Sequence, residues 1–240
     1  MTPYILVFVV TFLAGFTQGL SGFGSILLAL PLLTLFIDIK TVIPLVALHG
    51  LLMTILLLIQ LRRHLEWGKV LPLFVGSVPG VPVGVYYLKH MNTDVLQMTM
   101  GFILLSYALF SLFFKPVIWE MKRMGTGLVG FLAGCMGGAM GAAGPPVIVY
   151  TSLQPWTKDS IKVTLQGFFF ASGLVVVGLH ALNGLTTSRV LMYFLVSLPA
   201  LVAGTYVGSF FYGRIGEMTY KRVMFVLLAF LGAFMVYGAI

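Results

Sequence analysis

Charge is what this sequence of 240 residues has least of. Lys, Arg, Asp and Glu make up 8% of it, against about 25% in a soluble domain, so a water-facing surface for a chain of this length cannot be built. Acids are scarcest. Asp38, Glu66, Asp94, Glu120, Asp159 and Glu217 are all there are, and each falls in a connection or at the end of an apolar segment. An embedded acid is the usual mark of a cation site or proton relay, so a cation pump is disfavoured. The single cysteine, Cys135, excludes an intrachain disulfide and leaves too little sulfur for a thiolate zinc or iron–sulfur site. A His-Glu-x-x-His motif, paired embedded aspartates and a Ser–Lys pair within an apolar segment are all missing, so an intramembrane hydrolase has no support. The expectation is a non-enzyme without metal or cofactor. Long polar connections are lacking too, and the first segment has neither the basic n-region nor the small-residue cleavage site of a signal peptide.

What is present is apolar. Hydrophobic residues make up 60%, with 28 glycines and 11 prolines, and mean hydropathy is +1.07. Gly and Pro are commoner in membrane helices than in soluble ones, and the chain reads as an all-α polytopic membrane protein. A spanning helix needs roughly 20 apolar residues. Residues 41–61, 70–88, 95–114, 161–183, 190–211 and 222–240 qualify. Two further regions, 3–37 and 125–153, are too long for one crossing, and glycine breaks them at Gln18–Ser25 and Gly137–Pro146. Proline suits the first turn of a helix, so Pro145 and Pro146 mark the start of a half-helix after the second break.

The two breaks are copies. Phe12, Leu13, Ala14 and Gly15 match Phe131, Leu132, Ala133 and Gly134, 119 residues on, and at the same offset Gly19 meets Gly138 and Gly22 meets Gly141. Leu48-His49-Gly50 corresponds to Leu165-Gln166-Gly167, and Pro79 and Gly84 to Pro199 and Gly204. Residues 1–120 and 121–240 thus form two repeats, each a broken element followed by three spanning helices. Charge decides how the broken elements run. If each crosses once, the basic residues divide seven on each side. If each is a hairpin or two short crossings, Arg62, Arg63, Lys69, Lys115, Lys122, Arg123, Lys158, Lys162, Arg214, Lys221 and Arg222 share one side against Lys40, Lys89 and Arg189. The positive-inside rule selects the second case, with both termini outside. An odd number of full crossings per half then makes the repeats inverted, a recurring design of secondary transporters.

Gly127-Leu-Val-Gly-Phe-Leu-Ala-Gly134, running into Gly138-Ala-Met-Gly-Ala-Ala-Gly-Pro-Pro-Val147, resembles the second-repeat signature of the TauE/SafE (TSUP) family. The resemblance extends over the whole chain in length and duplicated organisation. In the first repeat, Phe23-Gly24-Ser25 stands where the family commonly has a glycine-rich triplet, and Pro31 fits the proline that follows. The resemblance implies a permease for sulfite, sulfoacetate or related sulfur compounds.

Off-helix backbone is allowed at membrane depth only where protein buries it or a cavity is lined, so the breaks mark the cavity. Half-helices beginning near Ser25 and Pro145 aim unpaired N–H groups and positive dipole ends inward, as an anion requires. The expected substrate-binding residues are Gln18, Gly19, Ser21, Gly22, Gly24 and Ser25 at the first break, and Gly138, Gly141, Gly144 and Pro145 at the second. Gln18, Ser21 and Ser25 supply neutral donors. His49 and its repeat partner Gln166 are expected near the midplane, where an imidazole titrating near neutrality can hold an oxyanion or carry a coupling proton. Thr151, Ser152 and Ser172 are further candidates. His180, beside Asn183 at the end of its segment, reads as interfacial. The basic runs at Arg62-Arg63-His64 and Lys122-Arg123 suit anionic lipid headgroups better than nucleic acid. The expectation is an inner-membrane secondary transporter that moves a small anion by alternating access, with export favoured. An anion channel and a non-transporting scaffold or receptor are the alternatives.

Overall fold

A computed structural model describes residues 2–61, 65–113, 123–212 and 217–239, and over these the chain is built of helices with no strand. α1 (Thr2–Ser21) and α2 (Ser25–Thr34) form the first broken element, followed by α3 (Ile39–Leu61), α4 (Trp67–His90) and α5 (Thr93–Phe113). α6 (Arg123–Met140) and α7 (Gly144–Ser152) form the second, followed by α8 (Lys158–Leu182), α9 (Ser188–Phe210) and α10 (Glu217–Gly238). Among the described residues, six helices, α1, α3, α4, α5, α8 and α9, are long and apolar enough to cross a membrane. Five of the six segments expected to span coincide with α3, α4, α5, α8 and α9 to within a few residues at each end, and the sixth, 222–240, falls on α10, whose described apolar stretch Met224–Gly238 is shorter than a span. Glu120 and the basic residues Arg62, Arg63, Lys115, Lys122 and Arg214 lie outside the described residues.

Both breaks are real, and their arms are unequal. α1 has 20 residues and α2 has 10; α6 has 18 and α7 has 9. At 1.5 Å per residue α1 is about 30 Å long, which is a bilayer's hydrocarbon thickness, whereas α2 is about half that. The helix runs on through Gly137 and Gly138, so the second break is confined to residues 141–143. Chain reversal at the breaks uses left-handed backbone at Gly22 (φ 81°), Gly24 (φ 91°) and Gly141 (φ 67°), where any Cβ is strained.

Other matched glycines do different work. α1 lies on α9, and α4 on α6. In the first pair a Cβ on Gly15, Gly19, Gly204 or Gly208 would collide with the facing backbone; in the second pair the same holds for Gly76, Gly80, Gly84, Gly130, Gly134 and Gly138. Both pairs run parallel, since Gly15 meets Leu201 as Gly19 meets Thr205, and Gly80 meets Phe131 as Gly84 meets Cys135. Such backbone approach is how helices associate in membranes, where lipid offers no hydrophobic drive. α3 packs on α8, α5 on α10, α4 on α8 and α3 on α9. With α1 paired to α6, and each later helix to its counterpart, these contacts map onto one another.

Polar contacts gather particular helix ends. Lys69 Nζ, at the start of α4, is 2.9 Å from Ser160 Oγ at the start of α8, and Tyr212 Oη, just past α9, donates to Asp159 Oδ1 at 3.0 Å. Tyr4 at the start of α1 lies against Met192 and Tyr193 at the start of α9. Asp38, Glu66, Asp94 and Asp159 all sit exposed at or just before helix starts, where the positive dipole end favours them.

Candidate functional site

A cavity of about 60 Å³ lies between the two breaks. One wall is Gly24 with Ser25, Ile26 and Leu27, the first turn of α2, together with Gln18 of α1. The opposite wall is Gly137 and the run Gly141–Gly144, with Ile148 of α7. α3 contributes Ala47, Gly50, Leu51 and Thr54, and α8 contributes Phe169, Ser172, Gly173 and Val176. No charged side chain is among these residues.

Gln18 holds the first break together. Ser25 Oγ donates to Gln18 Oε1 at 2.7 Å. The Gln18 amide in turn donates to Gly22 O and Gln166 Oε1, each at 3.4 Å, and Gln166 Nε2 donates to Gly22 O. Ser21 Oγ is 2.8 Å from Thr17 O and 2.7 Å from Phe23 O, the acceptors for its one hydrogen. The neutral side-chain donors expected to face a ligand are therefore committed to the break itself. What α2 leaves open is backbone. Its first intrahelical bond is Leu28 N–H to Gly24 O, and Gly24 brings no side-chain cap. Ser25, Ile26 and Leu27 are thus the N–H groups without an intrahelical partner. α7 differs, because Pro145 and Pro146 in its first turn carry no N–H. The donor-rich wall is α2.

Of the residues expected from sequence, Gln18, Gly24, Ser25, Gly141 and Gly144 line the cavity, and so does Ser172. Gly22 and Gln166 stand behind it in the Gln18 network. Gly19 and Gly138 face the backbones of α9 and α4, and neither Ser21 nor Pro145 is among the lining residues. His49 is also off the cavity. Its Nε2 is 2.7 Å from Ser197 Oγ on α9, and its ring is tilted against Phe194. Ser197 Oγ is itself within bonding distance of Tyr193 O and Phe194 O, to which it donates. It therefore accepts from His49 Nε2–H, and among the described residues the buried Nδ1 has no partner. The interfacial expectation for His180 is corrected. That residue is fully buried, and its Nε2 donates to Gly138 O at 2.8 Å.

Sequence reading missed Gly50, Thr54 and Gly173. Gly50 lies inside the matched Leu-His-Gly motif, and Thr54 is one turn further along the same helix face, so a helical projection from that motif reaches both. No comparable signal singles out Gly173.

The family model described as Sulfite exporter TauE/SafE matches residues 7–235. A probable sulfite/organosulfonate exporter TauE of Cupriavidus necator is 28% identical over 183 residues, which cover 74% of this chain and 71% of that protein. No solved structure matches. With its paired breaks, its apolar spanning helices and a family match from α1 to α10, the chain is a multi-pass membrane protein that belongs to the sulfite exporter TauE/SafE family of transporters.

Proposed function

We propose that this transporter exports a small sulfur oxyanion, with sulfite as the first candidate, by alternating access around the cavity between the breaks. The observation that carries the reading is the uncapped first turn of α2 at the cavity wall. Unpaired N–H groups and a positive dipole end converge where an anion fits. Size agrees. A water-sized group needs roughly 10–15 Å³ of such volume, so about 60 Å³ suits an ion of a few heavy atoms, as sulfite is. The relative from Cupriavidus necator, named a probable sulfite/organosulfonate exporter, points to the same chemistry.

In this reading the halves are inverted repeats, and the reciprocal packing of α1 on α9 and α4 on α6 supports that relation. Both termini lie outside, and the ends gathered around Lys69, Asp159 and Lys162 are cytoplasmic. An inside-negative potential pushes an anion outward by about 2.3 kcal/mol per charge per 100 mV, so export needs no coupling ion. Counterflow in liposomes tests the proposal with sulfite, thiosulfate, sulfoacetate and taurine. Saturable sulfite counterflow is the expected result. Unitary currents would make the chain a channel, and absence of both flux and solute-dependent thermal shift would end the transport reading.

A further inference from the structure

Broken helices create negative ends as well as positive ones. The last carbonyls of α1 and α6 have no intrahelical donor, and together they give each terminus roughly half a negative charge. Both termini abut the cavity, through Gln18 and Gly137. Left alone, they would repel the anion that the N-terminus of α2 attracts.

The structure places a basic side chain on each. Lys162 Nζ is 3.4 Å from Gly19 O, and His180 Nε2 is 2.8 Å from Gly138 O. Gly19 and Gly138 are the matched pair of the two repeats, yet both partners come from α8. They are 18 residues apart, about 27 Å along the helix. Lys162 is 7% exposed. Its stem runs beneath Gly22, where an added Cβ would meet Lys162 Cγ, and its ammonium sits 3.4 Å from the centroid of the Tyr212 ring. Asp159, one turn earlier, takes the Tyr212 hydroxyl but is exposed to solvent. An exposed carboxylate is screened by salt and water far more than a buried ammonium.

We infer that Lys162 is a positioning residue of the anion site: it cancels the negative end of α1 and adds a buried positive charge behind the first break without touching the ligand. His180 serves the second break as a neutral donor. The inference rests on the proposed anion site and goes beyond it by making affinity depend on ligand valence through a residue outside the cavity. Coulomb energy is linear in ligand charge, so removing the Lys162 charge weakens a dianion by about the square of the factor by which it weakens a monoanion of the same size.

Methanesulfonate and thiosulfate, with one and two charges and equal heavy-atom counts, are the probes. Their dissociation constants are measured by ligand-dependent thermal shift on detergent-solubilised wild type, Lys162→Met, Lys162→Gln, Lys162→Arg and His180→Gln. Met keeps the stem against Gly22, so one neutral variant survives if Gln does not fold. The expected result is a loss for both anions in the neutral variants, squared for thiosulfate. Lys162→Arg stays at wild-type affinity, and the thiosulfate-to-methanesulfonate ratio is unchanged in His180→Gln. Equal loss for both anions, or no loss, makes Lys162 merely structural and overturns the inference while leaving the anion site standing. A wild-type chain that binds neither probe overturns both.

Discussion

Gln18 concentrates the chemistry of the first break in one side chain. Its carbonyl oxygen takes the Ser25 hydroxyl, while its amide group reaches Gly22 O and Gln166. Gln166 completes the set by donating to Gly22 O. Replacing Gln166 with Leu removes one of the two donors to the buried Gly22 carbonyl, a loss of about 0.5–1.5 kcal/mol for one hydrogen bond, so the melting temperature of the purified protein should fall even though Gln166 does not line the cavity. His49 makes the opposite point. Sequence marked it as the embedded titratable group because its neighbours could not be read. The fold gives it Ser197 and Phe194 instead of the cavity. We therefore expect His49→Gln to leave the pH profile of anion affinity unchanged across neutral pH, and a flattened profile in titrations of that variant would return His49 to the site. The segment of a helix was legible from apolar runs, whereas the direction in which one polar side chain on it points depends on which helices pack beside it.

At the scale of the element, one residue type carries two functions that spacing cannot separate. Gly22 and Gly141 match across the repeats and reverse the chain with positive φ. Gly19 and Gly138 match equally well, and their missing side chains let backbones touch. Both uses require glycine, for different reasons, so the repeat announced the breaks but not the close-packed pairs α1·α9 and α4·α6. A Cβ at Gly138 meets the carbonyl of Val81. Overpacking of this kind costs about 1–3 kcal/mol, and Gly138→Ala is expected to lower thermal stability in detergent. Gly178→Ala, on a face of α8 with nothing within 4 Å of the new Cβ, is expected to leave it unchanged. Similar melting of the two variants would contradict the packing assignment.

For the whole molecule, the duplicated order of elements was readable because each repeat carries its own break and three apolar runs. The unequal arms were not, since glycines inside α6 look like a break until the facing helix shows what they contact. The proposed topology puts eleven basic residues in the cytoplasm. A C-terminal alkaline phosphatase fusion should therefore be active and a green fluorescent fusion dark, and the reverse pattern would remove the inverted-repeat proposal. The central claim is that the anion sits between the breaks, and a cavity-filling substitution tests it most directly. Gly141 is a poor place for one, because its φ of +67° and the nearby Ile43 carbonyl strain any side chain. Gly144 is better: a Cβ there meets the tip of Ile148 at 3.3 Å and Phe169 at 3.8 Å, both cavity-lining side chains. The deciding measurement is sulfite counterflow in liposomes by Gly144→Leu, purified folded and monodisperse beside wild type. The account predicts that counterflow is lost while the fold is kept, and wild-type counterflow in that variant would contradict it.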